Sequence, residues 1–278
     1  MRTRLSLAAL LLFAGMVSAA EPSKFEVEVQ KDVPYYTGKD ADKVRHILDV
    51  YAPKGAKDAP VLFLVHGGAW KLGTKDYLTD AAKRLCGSGV CVVCPNYRLS
   101  PKVQHPAHVA DVAKAFAWTA DNVAKYGGSG KKIVIGGHSA GGHLAALLAT
   151  DETYLKAENR SLADVRGVFG ISGVYLITDH EVFHEPFGKD PAGQKAASPV
   201  AHAGPHTPPV MLVYADKDYP LLDQSAKLFA TALEKAKRPV TVKEFAHRDH
   251  LTIVSEMKAA DDPVVLAAKE FVEKCTAK

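Results

Sequence analysis

The sequence predicts an α/β fold, a mostly parallel central sheet of about eight strands flanked by helices. Three observations predict it. Short β-rich apolar runs alternate along the chain with stretches of helical period. Several of the runs are continuously apolar, as strands covered on both faces must be. The chain has 278 residues, 47% of them hydrophobic and 24% charged, enough to enclose one sizeable core.

The strands are expected, in order, at "KFEVEVQ" (24–30), "HILDVYAP" (46–53), "PVLFLVHG" (60–67), "GVCVVCPN" (89–96), "KIVIGG" (132–137), "VRGVFGIS" (165–172), "PVMLVYA" (209–215) and "VTVKEFA" (240–246). A short connection joins the first two, which predicts an antiparallel edge. Helices are expected where apolar residues recur at helical spacing. One such stretch runs from 107 to 124 through Val109, Val112, Phe116 and Val123. Another runs from 222 to 236 through Leu222, Ala226, Phe229 and Leu233. A last helix should open with Asp262 as N-cap and Pro263 at its first position.

The remaining stretches have other readings. Residues 1–20 carry a basic start ("MRTR"), an apolar run and then "SAA", the pattern of a cleaved export signal. The apolar run is too short for a good membrane span. One domain over 21–278 is therefore expected, exported to the periplasm or beyond. A cap-like insertion at about 173–208, rich in His, Pro, Gly and Ala, should pack over the sheet's carboxyl edge, where open α/β sheets bind ligands. Net charge is +4 with no basic stripe, which argues against nucleic acid as a partner. Cys86, Cys91, Cys94 and Cys275 read as small buried side chains. Export would permit a disulfide from Cys86 to Cys91 or Cys94, but spacing does not fix a pairing.

Two strings compete for the chemistry. "HEVFH" (180–184) matches the H-E-x-x-H zinc pattern, and "GHSAGGH" (137–143) contains G-x-S-x-G. The second has the context it needs: a β-rich run, glycines, Ser139, then an apolar helix former. A side chain at Gly137 or Gly141 should collide with a neighbouring strand or helix. A serine hydroxyl needs a base and the base an orienting acid, in the order Ser, Asp, His. Candidates follow at strand ends: Asp216 or Asp218, then His247 or His250. Spacing leaves both pairs open. Asp218 reaches further into its loop, and His250 precedes a helix start, which favours these two. "HGGAW" after the third strand offers the amides of Gly68 and Ala69, and the helix after Ser139 offers that of Ala140, as donors to an oxyanion. Trp70 and His138 are assigned to the substrate pocket, His66 to bracing the loop, and His143 to packing the helix. For zinc, Pro186 and Gly188 cut short the helix that "HEVFH" needs, and a third ligand is missing. No metal or cofactor is expected.

"HGGAW", "NYRLSP", "HPAHVADV", "YGGSGKKIVIGGHSAGGHLAALLA" and "RDHLTIV" together resemble the α/β-hydrolase esterases. The nearest branch holds carboxylesterases, feruloyl-esterase-like proteins and kynurenine formamidases, over about residues 40 to 275. The resemblance implies Ser139 as nucleophile, Asp218 as acid and His250 as base. Ala69 and His138 stand where the hormone-sensitive-lipase branch has a third glycine and an acidic residue, which moves the match toward the feruloyl-esterase and formamidase side. It further implies a serine carboxylesterase acting on small or soluble esters. An arylformamidase is the first rival, favoured by "HGG-x-W" and opposed by the export signal. A non-catalytic binding protein on the same fold is the second.

Overall fold

The computed structural model describes residues 24–277, so the export signal expected at 1–20 lies outside the described residues. All eight expected strands are present: β1 (Val27–Pro34), β2 (Ile47–Pro53), β3 (Ala59–Val65), β4 (Cys91–Pro95), β5 (Gly128–His138), β6 (Val165–Ile171), β7 (Val210–Lys217) and β8 (Val240–Asp249). They form one sheet in the order β1-β2-β4-β3-β5-β6-β7-β8. From β4 to β8 every pairing is parallel. The predicted antiparallel edge is there, and β2 is antiparallel to both of its neighbours, β1 and β4.

The helices are α1 (Thr79–Gly87), α2 (Ala107–Asn122), α3 (Ala140–Thr150), α4 (Glu152–Ala157), α5 (Glu181–Phe187), α6 (Pro191–Ala196), α7 (Leu222–Lys235), α8 (Thr252–Ser255) and α9 (Pro263–Thr276). Strand residues alternate between two cores. Phe63, Cys91 and Ile135 share one with α2, α3 and α7, while Leu62, Cys94 and Val134 share the other with α1 and α9. Covering both faces explains the continuous apolar runs of the central strands. α3 is buried at every position from Ala140 to Thr150 and apolar but for His143 and Thr150, as suits an interior helix. Asp262 caps α9 by accepting from the amides of Val264 and Val265 at 2.9 and 3.1 Å.

The four cysteines are free thiols; Cys86, Cys91 and Cys94 are buried and Cys275 half-buried. Cys91 and Cys94 belong to opposite faces of the sheet, as an odd offset along a strand requires. The disulfide that export would have allowed is not formed. Between β6 and β7, residues 173–209 hold α5, α6 and a 3₁₀ turn at Pro199–His202. Among the described residues no helix is long and apolar enough to cross a membrane.

Candidate active site

Four neighbouring strands each deliver the residue after their last into one cluster. β5 ends at His138, β6 at Ile171, β7 at Lys217 and β8 at Asp249. The register sets His138 opposite Ile171 and Lys217 opposite Asp249. Ser139, Ser172, Asp218 and His250 follow directly, and they form one hydrogen-bonded chain. Ser172 Oγ donates to Asp218 Oδ2 at 2.5 Å. His250 Nδ1 lies 2.6 Å from Asp218 Oδ1, and His250 Nε2 lies 2.9 Å from Ser139 Oγ.

The carboxylate fixes the imidazole. Burial alone would push the Asp218 carboxyl up, but hydrogen bonds from His250, Ser172 and the Ala215 amide together hold it below the usual carboxylate range. The Tyr219 amide adds a further donor at 2.9 Å. An ionised carboxylate only accepts, so the ring hydrogen sits on Nδ1 and Nε2 is left to accept from the Ser139 hydroxyl. Tyr219 stacks on the His250 ring, with centroids 4.2 Å apart.

Ser139 sits on a strained turn, with φ 55° and ψ −120°. Its amide donates to Ile171 O at 2.8 Å, which ties the turn to β6. A Cβ on Gly137 would lie 2.3 Å from Gly141 C and O, and one on Gly141 would lie 2.1 Å from Val65 O. Only glycine lets strand, turn and helix approach so closely. Ala140 is the first residue of α3, so its amide has no partner inside the helix. The glycine loop lies beside it. Gly68, Ala69 and Trp70 all have positive φ, and a Cβ on Gly67 would come within 3.0 Å of Ser139 Cβ. Ala69 holds a left-handed conformation that favours glycine, at the position where the resemblance had noted a missing third glycine.

The remaining expected residues take defined places. His138 Nε2 donates to the His250 carbonyl at 2.7 Å, so its ring holds the backbone of the base as well as bordering a cavity. His66 bonds Gly67 O through Nδ1 at 2.7 Å and stacks on Tyr97. His143 accepts from Trp70 Nε1 at 3.2 Å and donates to Ala197 O at 2.8 Å, so both ring nitrogens are engaged. Asp216 is exposed and accepts from the Arg248 amide at 2.9 Å. His247 is exposed and lines neither cavity at Ser139. In "HEVFH", His180 caps α5 by accepting from the Val182 amide, while His184 pairs with Asp179 at 2.6 Å. The two histidines thus have different partners. Among the described residues no group of His, Cys, Asp and Glu side chains is arranged to hold a metal ion.

Burial keeps several of these rings neutral. It pushes His66, His105, His108 and His138 down to about 4, and His143 to about 3. In the unfolded chain they titrate near 6.5. Between those values the unfolded state binds more protons, so stability is present above about pH 6.5 and is lost as pH falls toward 4. The urea midpoint should therefore drop between pH 7 and pH 5, with uptake of several protons on unfolding. A pH-independent midpoint over that range would contradict these buried, neutral rings.

Two cavities, of about 420 and 510 Å³, meet at Ser139. They share Ala69, Ser139, Tyr219 and His250. The first is walled by the segment after β6 and the start of α7, including Leu176, His180, Val182, Phe183 and Leu228. The second is walled by Leu72, Tyr77, Leu78, Leu251 and Val254. Trp70 lines the first and also packs edge-on against Phe183 and Phe187. Sequence reasoning did not find Ser172 or Tyr219. The one signal for Ser172 was that "GIS" ends β6 as "GHS" ends β5.

A serine, histidine and aspartate joined in this order at the carboxyl edge of a mostly parallel sheet define the α/β-hydrolase class of fold. The solved structures agree on the fold. A truncated carbohydrate esterase from gut microbiota superposes with a TM-score of 0.78 at 20% identity, over 92% of this chain and 98% of that one. An esterase from Pyrobaculum calidifontis superposes with a TM-score of 0.72 at 23% identity, over 93% and 87%. More narrowly, the chain belongs to the BD-FAE family, whose model matches residues 48–233. It is 33% identical to "Esterase LipQ" of Mycobacterium tuberculosis over 74% of this chain and 52% of that protein. It is 30% identical to "Isoprenylcysteine alpha-carbonyl methylesterase ICME" of Arabidopsis thaliana over 81% and 57%. The chain thus spans little more than half the length of these curated relatives.

Proposed function

We propose that the protein is an exported serine carboxylesterase that works through an acyl-enzyme. The observation that carries the reading is the unbroken path Asp218–His250–Ser139 opening into two apolar cavities. His250 Nε2 takes the Ser139 proton as Oγ attacks the ester carbonyl, and Asp218 stabilises the imidazolium that forms. The amides of Gly68, Ala69 and Ala140 receive the oxyanion. His250 then protonates the leaving alcohol, and water, activated the same way, releases the acid. The relatives' names, both esterases, support ester over other substrates. The arylformamidase reading has less support. Formylkynurenine carries an ammonium and a carboxylate, and neither cavity is lined by an Asp, Glu, Lys or Arg side chain. Export rests on the signal-like residues 1–20.

One experiment addresses these points together. A fluorophosphonate probe should label the wild-type protein and not Ser139→Ala. The labelled species should be recovered outside the cytosol with a mass lacking about 20 residues. Purified enzyme should turn over p-nitrophenyl butyrate far faster than formylkynurenine. An unlabelled wild type would sink the serine mechanism, a cytosolic full-length species the export, and preferred turnover of formylkynurenine the esterase assignment.

A further inference from the structure

Among the described residues ten large apolar side chains are exposed, and eight of them sit on the walls of the two cavities. Leu176, Val182, Tyr219, Leu221 and Leu228 edge the first. Leu72, Tyr77 and Leu251 edge the second. Scattered exposed leucines need no explanation, but a concentration around one opening does. The walls carry no charged side chain, and their sparse polar groups, apart from Ser139 and His250, include Thr178, His180, Gln224 and Ser255. At about 420 and 510 Å³, each cavity has room well beyond a methyl or an acetyl group.

We infer that the substrate is an uncharged ester bearing an apolar group of several carbons on each side of its carbonyl, the acyl group seated in one cavity and the alcohol group in the other. The inference rests on the esterase reading and narrows it. The two cavities meet only at the reacting groups: Ser139 and His250 stand at the junction, flanked by Ala69 and by Tyr219 lying across the His250 ring. A carbonyl placed at Ser139 Oγ therefore has its two substituents directed toward different walls, one built from the segment after β6 and α7, the other from residues 72–78 and the turn after β8. A substrate apolar on one side alone would leave one wall and its exposed leucines in water. A charged acyl or alcohol group would be desolvated with no counterion within either wall, which costs far more than an apolar group gains. Both walls therefore select in the same direction.

The test is a matrix of four esters, methyl acetate, methyl hexanoate, hexyl acetate and hexyl hexanoate, with monomethyl succinate as the charged comparison, read as kcat/KM by acid release. Burying a methylene is worth about a fourfold gain. Lengthening either side should therefore raise kcat/KM by at least tenfold, and the two gains should multiply, leaving the charged hemiester poorest. Leu176→Glu and Leu251→Glu place a charge on one wall each. Each should erase the gain from one side of the ester and spare most of the gain from the other, with opposite assignments in the two variants. Equal turnover of methyl acetate and hexyl hexanoate, a preference for the hemiester, or variants that lose both gains alike would overturn the inference. Those results in an enzyme that reacts with fluorophosphonate leave the esterase reading intact. Failure to react with the probe and to hydrolyse any ester would instead remove the reading on which the inference stands.

Discussion

Replacing Asp218 by asparagine is expected to lower kcat about 10⁴-fold with little change in KM. Both carboxylate oxygens accept. Oδ1 takes His250 Nδ1–H and the Tyr219 amide, and Oδ2 takes the Ser172 hydroxyl and the Ala215 amide. Asparagine must aim an NH₂ at one of these pairs of donors. Aimed at His250, it forces the ring hydrogen onto Nε2 and removes the lone pair that receives the Ser139 proton. Aimed at Ser172, it meets the Ala215 N–H head-on and shifts the side chain that orients the ring. Asp216→Asn supplies the contrast. Its carboxylate is exposed and holds loop amides at His247 and Arg248 rather than the catalytic ring, so kcat should stay within about twofold. Steady-state kinetics of the two variants decides between these carboxylates. A large loss at Asp216 and a small one at Asp218 would reverse the roles assigned to them.

Gly141→Ala is expected to cost more than about 3 kcal/mol of stability and most of the activity. In an ordinary helix the same change gains up to about 1 kcal/mol. Here the added Cβ would stand 2.1 Å from Val65 O and 2.6 Å from His66 O, backbone atoms of β3 and the glycine loop that cannot rotate away. α3 would have to retreat, carrying Ser139 away from His250. Gly193→Ala in α6 is the control, because its Cβ meets nothing closer than 3.4 Å. It should be neutral or slightly stabilising. Thermal unfolding of the two variants measures the difference; comparable melting temperatures would show that the turn tolerates a side chain.

Much of this was legible before any coordinates. The central strands could be read because burial on both faces leaves no polar position to interrupt them, as in Val61 to Val65. Gly137 and Gly141 could be read because a sharp strand-to-helix turn tolerates nothing larger. Ser172 could not. A serine at a strand end is unremarkable until the pairing of β6 with β7 sets it beside the loop of Asp218. The bond from His138 to the His250 carbonyl was hidden for the same reason. The two residues are 112 positions apart and meet only because β8 closes the far side of the sheet. Tyr219 was hidden because a tyrosine beside an acid has no motif, and its stacking depends on a turn geometry that spacing does not encode.

The four thiols have a consequence beyond packing. Burial pushes the Cys91 thiol up to about 12 and that of Cys275 up to about 11. The thiolate is the nucleophile that attacks disulfides and reacts with oxidants, and with pKa values this high little of it exists at neutral pH. Nor do the described residues contain a sulfur–sulfur bond that a reductant could cut. The described fold therefore rests on no bond that glutathione would reduce. Equally, the fold of the described residues is complete without an oxidase.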